Sequence, residues 1–174
     1  IRHEGAHQLF HAYGIESKFP VEPTWLTEGL AQYCETAPLG ASHLPLVNTL
    51  VRARDAGTLI PLATLLNHRD PAGFFALGGD HTELAYAESW ALTYFLMQLD
   101  RCYGFENFIR HYRDLRLPAA ALVEQQREPA AVLAEHLGTS LPSLESQWLM
   151  FLKGLWPAAD VPPFPAAERR GATR

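Results

Sequence analysis

Residues 82–103 read TELAYAESWALTYFLMQLDRCY, the longest periodic stretch of the chain. Leu84, Trp90, Leu92, Phe95, Leu96 and Leu99 recur at helical spacing and cover most of the circumference, which predicts a centrally buried helix. The same period recurs on both sides of it. Toward the N-terminus, residues 1–13 carry Leu9, Phe10 and Tyr13 on a helix that Gly14 closes. Thr24 reads as the N-cap of a second helix over residues 25–35, which Pro38 and Gly40 end. Leu46, Leu50 and Val51 mark a third helix stopping near Gly57, and residues 61–66 a short helical piece. Residues 71–80, broken by Gly73, Gly78 and Gly79, predict a loop. Toward the C-terminus, Gly104 is expected to end the central helix. Further helices follow over residues 105–115, 130–137 and 140–156, the last with Leu144, Trp148, Leu149 and Leu152 in phase. No alternating strand and no internal repeat is visible, so the fold class is mainly α.

Composition sets the outer bounds. Of 174 residues 48% are apolar and 11% aromatic, enough to bury a real core. The net charge of −5, from 14 Lys+Arg against 19 Asp+Glu, argues against a nucleic-acid-binding surface. Apolar runs such as residues 148–152 are too short to span a bilayer, and no signal-peptide pattern stands at the start. Cys34 and Cys102 allow one disulfide at most, and neither has a nucleophile setting. Residues 1–156 are expected to form one helical domain. Residues 157–174, with Pro162, Pro163 and Pro165 before Arg169 and Arg170, are expected to be a disordered Pro-rich tail. The chain opens Ile1-Arg2-His3-Glu4 without Met and inside a predicted helix, as the downstream part of a longer protein would.

That opening helix carries the chemistry. His3-Glu4-Gly5-Ala6-His7 is an H-E-x-x-H pattern, and i, i+4 spacing sets both imidazoles on one face about 6 Å apart along the axis. Glu4, beside the first histidine, is placed to take a proton from a water that a bound ion activates. The competing reading is two solvated histidines on a surface helix. Roughly 0.03 such matches are expected by chance in a chain of this composition.

A catalytic zinc needs a third protein ligand. His11 shares the face but lies about 12 Å along the axis from His3, too far to share one ion. Phe10 and Tyr13 occupy the positions of the Gly and last His of the metzincin pattern, which excludes that pattern. Glu28 is the better candidate. It sits in Trp25-Leu26-Thr27-Glu28-Gly29-Leu30-Ala31-Gln32-Tyr33, on a helix that can fold back against the first. Gly29 and Ala31 keep that helix slim, which would let the first helix approach closely. Otherwise Gly29 costs about 1 kcal/mol in a helix interior for nothing.

The two segments together resemble the gluzincin clan of zinc metallopeptidases, especially the peptidase-MA-like families of bacterial proteins. The second is also similar to the W-L-N-E-G-F-A segment of the M1 aminopeptidases. The resemblance implies a zincin-like catalytic helical half without its upstream β-containing part. It also implies Zn2+ bound by His3, His7 and Glu28, with Glu4 as general base. Gln32 stands where thermolysin-type members carry Asp, a departure shared with M1-like relatives. Glu35, one heptad beyond Glu28, is a candidate partner for a zinc-bound histidine, or a solvated glutamate. Ala85-Tyr86-Ala87-Glu88-Ser89-Trp90 resembles the M1 Tyr segment, which makes Tyr86 the candidate oxyanion donor. Glu88 and Ser89 replace the family's Lys and Gly there. Tyr86 packed in the core with a satisfied hydroxyl is the alternative.

His43, His68, His111 and His136 have no ligand spacing, and His81 reads as a loop histidine. Leu77-Gly78-Gly79-Asp80 reads as a flexible cleft loop rather than a phosphate loop. The expected function is a zinc-dependent peptidase acting on a peptide or protein substrate. A zinc-binding pseudo-enzyme and a helical interaction module without metal are the rivals.

Overall fold

The computed structural model describes residues 2–16, 19, 21–79, 83–98, 100–115 and 117–154, with only the backbone of Phe75. His81, Asp80 and the expected tail lie outside the described residues. In chain order the helices are α1 (Arg2–Ala12), α2 (Thr24–Glu35), α3 (Leu44–Ala56), α4 (Leu62–Asn67) and α5 (Pro71–Phe74). After a 3₁₀ turn (Phe75–Gly78) come α6 (Glu83–Leu96), α7 (Cys102–Arg113), α8 (Pro118–Glu124), α9 (Pro129–His136) and α10 (Leu141–Lys153). Among the described residues there is no strand, so the chain is mainly helical. None of these helices is long and apolar enough to cross a membrane.

The core is organised on α6, as its all-round apolar pattern predicts. Leu84, Trp90, Leu92, Phe95 and Leu96 are all buried. α2 and α3 pack against it, and α1 packs on the outside of α2. Trp25 of α2 stacks with both Phe105 and Phe108 of α7, with ring centroids 6.2 and 6.0 Å away. Trp148 of α10 meets Phe95 of α6 edge-on at 5.8 Å. The apolar side chains therefore join into one cluster, whose burial is the main stabilising term.

Four local expectations are corrected. The central helix stops at Leu96, not near Tyr103, and Gly104 lies inside α7. The amides of Arg101 and Cys102 both return to the Gln98 carbonyl (2.9 and 2.8 Å) and start a new helix there. Apolar periodicity runs on into Phe105 and Phe108, so the pattern does not mark that break. Gly104 instead permits a close crossing, because a Cβ there would sit 2.7 Å from the His136 carbonyl oxygen. Residues 71–78 form helical turns rather than a loop, because the Asp70 carboxylate accepts from the amides of Ala72 and Gly73, both at 3.0 Å. Thr24 is the first residue of α2 and not its cap; its amide donates to the His68 carbonyl (2.9 Å). Finally, α8 was not anticipated: Pro118 begins a short Ala-rich helix there. By contrast Gly57 and Gly138 cap α3 and α9 at positive φ as expected, and Ser140 caps α10. Cys34 and Cys102 form no disulfide, and burial pushes the Cys34 thiol up.

One buried carboxyl inside α6 is structural. Glu88 Oε1 accepts from the Ile60 amide at 2.7 Å, fastening the turn before α4, while Oε2 has no hydrogen-bond partner. Burial pushes this carboxyl from its ordinary 4.5 up to about 8. Between those values the unfolded chain has released a proton that the folded chain keeps. Folding stability from this group is therefore complete below about pH 4.5 and declines as pH rises toward 8. The expected slope is about 1.4 kcal/mol per pH unit within that window. Urea denaturation between pH 5 and 8 should show this decline in the parent and a flatter profile in Glu88→Gln, which keeps the acceptor for Ile60. Parallel profiles for the two chains would refute the buried-proton account.

Candidate metal centre

The backbone of α1 fixes the relation between His3 and His7. Their rings lie one turn apart, 4.8 Å between centroids and nearly perpendicular at 74°. Their Nε2 atoms face each other at 3.2 Å. Glu28, presented by α2, brings Oε2 to 3.2 Å from His3 Nε2 and 3.8 Å from His7 Nε2. Three ligand atoms from two helices thus converge within 4.8 Å of one another, all on partly buried residues. Tetrahedral coordination at about 2.0–2.1 Å sets neighbouring ligand atoms about 3.3 Å apart. The triangle has that size.

The far side of each ring also meets a carboxylate. His7 Nδ1 bonds to Glu16 Oε1 at 3.1 Å. His3 Nδ1 lies 3.1 Å from Glu35 Oε1, but the carboxylate stands off the ring's N–H direction and no hydrogen bond forms. The other oxygen of Glu35 lies 3.5 Å from His43 Nε2 at the start of α3, and its backbone carbonyl accepts from Arg2 Nη1 at 3.0 Å. Glu35 is therefore beside a candidate ligand, as its heptad spacing from Glu28 allows. Glu16 and His43 were not anticipated. Gly14 was the available signal for Glu16. At φ +65° it turns the chain back, with its amide on His11 O (3.2 Å) and the Ile15 amide on Phe10 O (2.8 Å). This is a Schellman closure, which sets the next residue, Glu16, beside His7. His43 carries no local signal; the packing of α3 brings it in.

Glu4 is exposed on α1, next to His3. Tyr86 enters from α6, half-buried, its ring 6.3 Å from that of His3 and edge-on to Phe74 at 5.6 Å. Burial first, then the negative charges of Glu28 and Glu4, pushes its hydroxyl up to about 12. The phenol therefore keeps its proton at any physiological pH and faces the same charges as the imidazoles.

The remaining histidines stand apart. His11 is exposed at the end of α1 and takes no part in the triangle. His68 holds the Asp70 carbonyl at 2.8 Å. His111 and His136 pair edge-on at 5.3 Å, with Glu124 Oε2 3.0 Å from His111. Burial, with His111 beside it, lowers the pKa of His136.

Gly29 serves a different neighbour from the one expected. A Cβ on Gly29 would collide with the Thr93 hydroxyl and stand 2.5 Å from the Ser89 carbonyl oxygen. The slim side of α2 thus admits α6, not α1, and so brings Glu28 and Tyr86 to one site.

The chain belongs to the family described as "Protein of unknown function (DUF1570)", whose model matches residues 1–118. That span holds His3, Glu4, His7, Glu16, Glu28, Glu35 and Tyr86. No curated protein and no solved structure matches the chain.

Two glycines near the centre predict opposite outcomes. Gly29→Ala drives a methyl into the Ser89 carbonyl and is expected to cost about 1–3 kcal/mol, despite the better helix propensity of Ala. Gly5→Ala, with nothing within 4 Å of the added methyl, should gain up to about 1 kcal/mol. Chemical denaturation of both variants tests the contact. A neutral Gly29→Ala would mean that α2 and α6 are further apart than described.

Proposed function

We propose that this chain is a zinc-dependent metallopeptidase of the gluzincin type, with His3, His7 and Glu28 as zinc ligands. The observation that carries the reading is the convergence of His3 Nε2, His7 Nε2 and Glu28 Oε2 at separations suited to one small cation. The likeness of His3-Glu4-Gly5-Ala6-His7 and Trp25-Leu26-Thr27-Glu28-Gly29 to the gluzincin motifs supports peptide-bond hydrolysis. Zinc bound there would supply Lewis acidity, lowering the pKa of water toward neutrality and polarising a carbonyl.

The chain's own groups take the remaining roles. Glu4, adjacent to a ligand and open to solvent, is the base that receives a proton from the attacking water and returns it to the leaving amine. Tyr86, held protonated by burial and by two nearby carboxylates, donates its hydroxyl to the developing oxyanion. Its partly buried ring limits how far that hydroxyl can wander.

Zinc content of the purified chain, with turnover on an unstructured protein such as casein, tests the reading. One zinc per chain is expected, lost or much reduced in Glu28→Ala. Glu4→Gln should keep the zinc and lose at least about a hundredfold in turnover. A folded parent without affinity for zinc would remove the catalytic reading. A zinc-loaded parent without turnover would favour a pseudo-enzyme, and an active Glu4→Gln would exclude Glu4 as the base.

A further inference from the structure

A neutral imidazole offers one lone pair, and the proton's position decides which nitrogen carries it. His7 Nε2 points into the triangle and His7 Nδ1 points out of it, to Glu16 Oε1 at 3.1 Å. A carboxylate can only accept, so that bond requires the proton on Nδ1 and leaves Nε2 as a lone pair. With the proton on Nε2 instead, it would point at His3 Nε2, 3.2 Å away, and obstruct the centre. His3 differs. Its Nδ1 makes no hydrogen bond to Glu35, while its Nε2 bonds to Glu28 Oε2 at 3.2 Å, which by the same rule puts the proton on the nitrogen that faces the centre.

We propose that Glu16 is a positioning residue, holding His7 as the Nδ1–H tautomer so that Nε2 is ready to bind the ion before the ion arrives. The proposal rests on the metal-centre reading above and adds an asymmetry to it: His7 is ready in advance, whereas His3 must first move its proton from Nε2 to Nδ1. The backbone is built for the task. The Glu16 amide also reaches the Phe10 carbonyl, at 3.4 Å, so the carboxylate starts from a loop tied to the end of α1. Both side chains are largely covered, Glu16 at 20% and His7 at 25% exposure, which shields the bond from competing water. The Gly14 turn thus closes a helix and delivers its own ligand's support within nine residues.

Two readouts on the 174-residue chain test this. Long-range proton–nitrogen spectra of the metal-free, histidine-labelled chain at alkaline pH report the tautomer, with His7 identified by its loss in His7→Asn. The parent should show His7 as Nδ1–H, and Glu16→Ala should shift it toward Nε2–H. Cobalt affinity, measured by competition, should fall by about 10–100-fold in Glu16→Ala. Glu16→Gln, whose amide oxygen accepts the same bond, should keep the tautomer and recover most of the affinity. Equal melting temperatures of the metal-free chains separate this from a loss of fold. A parent with His7 as Nε2–H, or a Glu16→Ala chain binding cobalt like the parent, would overturn the proposal while leaving the metal centre standing. A parent that binds no cobalt, even with His7 as Nδ1–H, would overturn the metal reading and this proposal with it.

Discussion

The close approach of α2 to α6 at Gly29 is the constraint on which the site depends. With no side chain at that position α2 lies against the backbone of α6 at Ser89, and each helix then carries its functional groups past the contact. α2 divides its faces among three neighbours. Trp25 stacks with two phenylalanines of α7, Gly29 meets α6, and Glu28 and Glu35 reach the histidines of α1. Widening that contact by a methyl would move Glu28 relative to Tyr86. Packing and chemistry are therefore specified by the same few residues.

α1 is attached differently. Ala6 is its one buried residue among those described, with Phe10 packed partly on the core. Apolar burial contributes little to holding it. Polar contacts do the rest: His3 to Glu28, His7 to Glu16, Arg2 to the Glu35 carbonyl. Three carboxylates around two imidazoles also repel one another, and that repulsion opposes docking of α1. A cation at the triangle would reverse its sign. Binding of an ion would thus be linked to docking of α1, and its affinity would include the cost of ordering a weakly held helix.

What the sequence reveals follows from how local each feature is. The i, i+4 pair on α1 and the Glu28–Glu35 heptad on α2 need only helix geometry, and both face the centre as spacing requires. The small residue at Gly29 signals a close approach, but sequence cannot say to which helix, and the partner is α6 rather than α1. Glu16 depends on the sense of one glycine turn, for which Gly14 is the sole signal, and His43 on the packing of a distant helix, which has no local signal. The break after Leu96 is hidden for a related reason. The apolar stripe continues across it because both helices line one core, while the hydrogen bonds that end α6 belong to Gln98. Between Pro71 and Gly78 the capping carboxylate of Asp70 outweighs the glycines that mark a loop by composition.

The segment around Tyr86 shows why a motif is carried over one residue at a time. Tyr86 and Glu88 are two positions apart, so helix geometry turns them about 200° from one another. Tyr86 looks toward the histidines, while Glu88 is fully buried and holds the Ile60 amide on the other side of α6. Ser89 follows the fold as well: its hydroxyl returns to the Ala85 carbonyl at 2.7 Å, and its own carbonyl lies beneath Gly29. The Lys and Gly of the M1 pattern would suit neither place. A lysine at position 88 would bring an ammonium donor to a backbone amide that needs an acceptor, and a glycine at 89 would loosen the helix where α2 rests on it. The departures from that pattern are thus requirements of this core. They leave the one residue that faces the centre, Tyr86, free to keep its chemical type.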